Sequence, residues 1–142
     1  MSSTPEEFLN HIQGEWVRAR AGRSFDSTNP HDTRETVGRF QASGPADAEA
    51  AVAAAAAAFE GWRATPITKR AKILQDAASY LETHAARFAD ELTREEGKSV
   101  ALAKDEFLRS AQTLRFYAVE GQTLGGETYP QDDPLMQVYS LR

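Results

Sequence analysis

The sequence contains no cysteine. A disulfide scaffold, a thiolate zinc site and a cysteine nucleophile are therefore excluded within these residues. Positive charge is not in excess either: 16 Lys and Arg stand against 21 Asp and Glu, for a formal net charge of −5. Neither a nucleic-acid backbone nor an anionic membrane surface is expected as a partner. Long hydrophobic runs are missing. The longest, Ala50 to Phe59, is mostly alanine and far shorter than a bilayer requires. The opening Met-Ser-Ser-Thr-Pro-Glu-Glu has no basic start or apolar core of a secretory signal, so the expectation is a soluble, cytoplasmic chain. There is no glycine-rich phosphate loop, because the glycines between Gly121 and Gly126 close a helical pattern instead of opening one.

What is present is enough for one domain: 142 residues arranged around an alanine-rich helix from Gly44 to Trp62. Pro45 suits the first helical position, Gly44 suits the N-cap, and Asp47 lies where the helix dipole favours negative charge. Ala48, Val52, Ala55, Phe59 and Trp62 recur at three- and four-residue steps, which predicts an apolar stripe. Upstream, Phe8 to Ile12 and Glu15 to Val17 read as a hairpin about Gln13-Gly14. Arg18 to Arg23 reads as loop, Asp26 to Thr33 as a dense turn cluster around Asn29-Pro30, and Thr36 to Gln41 as a further strand interrupted by Gly38. The apolar faces of these strands need cover, and the alanine-rich helix is the expected one.

Downstream the pattern is helical. A second helix is expected from an N-cap at Thr68, with Ile73, Leu74, Ala77 and Leu81 inward. A break is expected at Thr83-His84, then a third helix carrying Ala85, Phe88 and Leu92 to a C-terminal glycine at Gly97. The longest helix is expected from Val100 to Leu124, burying Val100, Ala103, Phe107, Ala111, Leu114 and Ala118 before Gly125-Gly126 stops it. Leu135 to Leu141 reads as a strand with apolar residues on both faces, which needs cover on both sides.

Taken alone, the residues support no catalytic mechanism. His11, His31 and His84 are scattered and are expected at surfaces or turns, not around a metal. Glu95-Glu96 beside Lys98 reads either as an acid pair tuned by a cation or, preferably, as a solvated helix end with its lysine on the dipole. Trp16 and Trp62 are expected in the core.

The order of features carries more. Phe8 to Val17 resembles the opening hairpin of the NAD(P)-dependent aldehyde dehydrogenases, and Phe25 to Thr33 resembles their Asn-Pro turn. The helix ending in Phe59-Glu60-Gly61-Trp62, the segment Glu95-Glu96-Gly97-Lys98, and Phe116-Tyr117-Ala118 with Gly125-Gly126-Glu127 are similar to the family's next three landmarks. Within the family, Asn29 to Arg34 and Arg94 to Lys98 look most like the 2-oxoglutarate semialdehyde dehydrogenases.

The resemblance implies an α/β class: the N-terminal part of a Rossmann-like fold, itself mostly helical, with leading hairpin strands and a terminal strand. Residues 1–126 would be the first part of the cofactor-binding domain, with strands within 8–43 and helices within 44–124. Residues 127–142 would begin the oligomerisation arm. The complete enzyme would use NAD or NADP to oxidise an aldehyde to a carboxylic acid, with its cysteine, general base and cofactor contacts elsewhere. No catalytic or cofactor-binding residue, and no bound cofactor, is expected in this segment alone. The partners implied are an aldehyde substrate and further copies joined through the C-terminal strand. The family's monovalent-cation site would fall at Ser27, Thr28 and Glu95, where the family commonly has Asp in place of the glutamate. The other reading is a free-standing helical interaction module descended from such an enzyme.

Overall fold

The computed structural model describes residues 5–123 and 125–140. In chain order it contains strands β1 (Glu7–Phe8), β2 (Asn10–Ile12), β3 (Glu15–Val17), β4 (Ser24–Thr28) and β5 (Thr36–Gln41). Helices α1 (Pro45–Ala64), α2 (Ile67–Glu96) and α3 (Val100–Thr123) follow, then the short strands β6 (Thr128–Tyr129) and β7 (Val138–Tyr139). This is the mixed strand-and-helix composition expected. Leu124 and Leu141, which the sequence reading assigned to the last helix and the last strand, lie outside the described residues.

The first predicted strand divides. Phe8 joins β5 in parallel, in a three-stranded sheet of order β1-β5-β4, whereas Asn10–Ile12 pairs antiparallel with β3. Gln13 and Gly14, at φ 56° and 83°, form the tight turn between β2 and β3. Gly38, which weakened β5 as a sequence pattern, has a packing reason. A Cβ there would lie 2.5 Å from the Phe8 ring, and that ring stacks on Phe40 at 5.0 Å. The turn cluster is shorter than expected, because Asp26, Ser27 and Thr28 belong to β4 and pair with β5, with a bulge between Ser27 and Thr28.

The centre of the molecule is the α2–α3 hairpin. Its buried residues are all alanine: Ala71, Ala78, Ala85 and Ala89 on α2, and Ala103, Ala111 and Ala118 on α3. Spacings of four, seven and eight keep one small-residue seam facing the partner helix and let the two backbones approach closely. Phe88 stacks on Phe107 at 5.2 Å along that seam, and Arg115 reaches across to Glu82 and Ser79. The inward assignments of Ile73 and Val100 are corrected, since both are exposed; alanines take the buried positions.

The expected break at Thr83-His84 does not occur. Thr83 Oγ1 donates to the Ser79 carbonyl, and His84 Nδ1 contacts the Tyr80 carbonyl at 2.8 Å, so both side chains bond to the helix's own backbone and α2 runs unbroken for 30 residues. It begins at Ile67 after an N-cap at Pro66, not at Thr68. Among the described residues no helix is long and apolar enough to cross a membrane.

The alanine-rich helix α1 starts as predicted, with Gly44 as N-cap, and runs two residues past Trp62 to Ala64, but it does not take the predicted role. Asp47 is its one buried residue; Val52 and Phe59 are exposed, and Trp62 remains 45% exposed. α1 meets β2 and β3 through its first turns, at Asp47, Ala48, Ala50 and Ala51, and leaves Phe25 and Trp16 of the strands exposed. Trp16 is also outside the core, at 68% exposure, packed against His11 across the β2–β3 ladder. The tail strand shrinks to β7 and gains β6 as a partner, while Leu135 stands 93% exposed in the turn between them.

Candidate functional site

The local chemistry of β4 and β5 forces a turn at residues 29–35, and that turn is what reaches the helices. The Asn29 side-chain oxygen accepts from His31 N–H at 2.9 Å, and Asn29 N–H donates to the Glu35 carbonyl at 3.0 Å. An Asx turn of this kind, followed by Pro30, holds the loop without secondary structure. α2 ends directly opposite. Gly97 adopts φ 77°, and its N–H donates to the Thr93 carbonyl.

The two segments interlock there. His31 Nε2 lies 2.6 Å from the Gly97 carbonyl, and because a carbonyl can only accept, Nε2 carries the proton. A Cβ at residue 97 would come within 2.8 Å of Pro30 Cγ, so glycine is needed both for its backbone conformation and for the space. Beside this contact Glu35 binds both segments: its carboxylate accepts from the Asn29 amide at 2.7 Å and from Arg94 Nε at 2.8 Å. The Asn29 hydrogen bond, and then Arg94, hold the Glu35 carboxyl below the usual glutamate range.

Lys98 leads out of the turn into α3 and lies between Glu96 and Glu106. Those acids, Glu106 first, raise its pKa and fix it as an ammonium. Of the two sequence readings of Glu95-Glu96-Lys98, a tuned acid pair gains no support. Lys98 straps the α2–α3 connection through Glu96 and Glu106.

The proposed cation residues border this junction. Ser27 pairs with Gly38 and Thr28 with Thr36 in the β4–β5 ladder, at the bulge that precedes Asn29. Glu95 is in the last turn of α2, exposed, two residues before Gly97. The structure thus unites the two segments through His31 and Gly97. Among the described residues no hydrogen bond links Ser27 or Thr28 to Glu95, and no group of three or more His, Cys, Asp or Glu side chains could hold a metal ion.

A second node fixes the strands to α1. Asp47 is only 7% exposed; its carboxylate accepts from the N–H groups of Gly44 and Arg20, both at 2.9 Å, which lowers its pKa. Gln41 accepts from Ala19 N–H and donates to Glu7 and the Phe8 carbonyl. The sequence flagged Asp47 by its place in the first helical turn. Nothing flagged Glu35 with Arg94, whose partners are 59 residues apart.

Comparison with known proteins gives this geometry its context. Residues 16–142 match the model of the aldehyde dehydrogenase family. Alpha-ketoglutaric semialdehyde dehydrogenase of Bacillus subtilis is 36% identical over 95% of this chain and 28% of its own length. Alpha-ketoglutarate semialdehyde dehydrogenase of Haloferax volcanii is 34% identical over 92% and 27% respectively. Among solved structures, succinate-semialdehyde dehydrogenase from Burkholderia pseudomallei superposes with a TM-score of 0.85 at 31% identity, covering 93% of this chain and 27% of that one. The chain spans little more than a quarter of the length of the curated relatives it matches.

Proposed function

The chain belongs to the aldehyde dehydrogenase family, and on that premise we propose that it is the N-terminal segment of an NAD(P)-dependent enzyme that oxidises 2-oxoglutarate semialdehyde or a closely similar aldehyde to the acid. The observation that carries this reading is the match of residues 16–142 to the family model, with the two semialdehyde dehydrogenases covering nearly the whole chain. The cofactor, when bound in the complete enzyme, accepts a hydride. Its cradle is proposed to lie outside this chain, a reading supported by the lack, among the described residues, of a glycine-rich turn that opens a helix: Gly121, Gly125 and Gly126 lie at or beyond the end of α3.

What these residues do in that reading is positional. The α2–α3 hairpin supplies a rigid pair of helices, and the Asn29–Glu35 turn is latched to its end by His31, Glu35 and Arg94. Ser27, Thr28 and Glu95 are proposed to hold a monovalent cation at that latch. Their hydroxyl, carbonyl and carboxylate oxygens are the hard donors such an ion takes, and Glu95 forms no ion pair among the described residues. The β6–β7 hairpin, with Leu135, Met136 and Tyr139 exposed, is proposed to begin the arm through which copies associate.

The test is enzymatic. The 142-residue chain alone should give no aldehyde-dependent NAD(P)H. A protein whose reading frame continues past Arg142 to include a cysteine should produce it from 2-oxoglutarate semialdehyde. Turnover by the 142-residue chain, well above a blank, would overturn the assignment of these residues to positioning. Removing the last eight residues should reduce self-association in light scattering, and two equally monomeric chains would remove the arm from the account.

A further inference from the structure

We draw no further inference here: the strongest candidate, the open cleft where the end of α1, the start of α2 and the end of α3 meet, with the buried Nε of Arg70 left without a hydrogen-bond partner among the described residues, is an uncovered face of a chain that spans little more than a quarter of its relatives' length, and nothing in the structure shows what covers it.

Discussion

The α2–α3 hairpin and helix α1 are both rich in alanine, and they use it in opposite ways. In the hairpin, alanines at four-, seven- and eight-residue spacing are buried against a partner helix. In α1 a run of alanines with Val52 and Phe59 stays exposed, Trp62 is only half buried, and the one buried residue is a carboxylate cap, Asp47. Composition sets helix formation in both, because alanine loses least on entering a helix. Burial depends on whether a second surface of matching shape is present. The β6–β7 hairpin sides with α1: it is formed, paired and uncovered. In the reading proposed above, those uncovered faces are where the rest of the enzyme and its neighbouring copies pack.

Substitutions can break or sharpen that contrast. The largest effect is expected at the latch, where Gly97→Val imposes a left-handed backbone on a β-branched residue and drives a Cβ into Pro30. A loss of about 2–4 kcal/mol in urea unfolding is expected. A loss under about 0.5 kcal/mol would mean that the turn does not dock on α2.

In the hairpin, Ala78→Leu overfills a fully buried position and should cost about 1–3 kcal/mol. The same change at Ala55 on α1 should stay within about 0.5 kcal/mol. Equal losses at the two sites would erase the distinction between the helices.

Trp62→Ala should cost about 1–2 kcal/mol in this chain, because the indole is only half buried. A full-core loss of about 3–5 kcal/mol would show that α1 is covered after all.

The smallest effect concerns pH. Glu35 and Asp47 have folded pKa values below their ordinary ones. Their contribution is therefore present above the unfolded carboxylate pKa and is lost as pH falls through the lower folded values. Glu35→Gln should flatten the acid limb of the stability profile, and an unchanged limb would show that the Asn29–Glu35–Arg94 bridge contributes nothing to it.

The contrast also explains how far the sequence could be read. Caps and turns are local, so Pro45, Asp47, Asn29-Pro30 and Gly97 announced themselves, and all four stand where their chemistry requires. The hairpin seam was half legible. Its pattern points to Ala85 but favours leucine and isoleucine over Ala71, Ala78 and Ala89, which are buried, and it suggests a break where Thr83 and His84 in fact bond to the helix backbone. The core positions given to Trp16 and Trp62 misled because an apolar stripe states a demand for cover and cannot say that the cover lies within the same chain. The junction of the Asn29 turn with Gly97 was suggested only by family resemblance. No local signal relates Glu35 to Arg94, and the orphaned Nε of Arg70 becomes visible only once three helices are in place.

Native-state hydrogen exchange on the 142-residue chain tests the central contrast most directly. Amides of α2 and α3 around Ala78, Ala85 and Ala111 should exchange slowest, and those of α1 from Val52 to Trp62 and of the β6–β7 hairpin should exchange at least about a hundredfold faster. Protection of α1 equal to that of α2 would contradict the account.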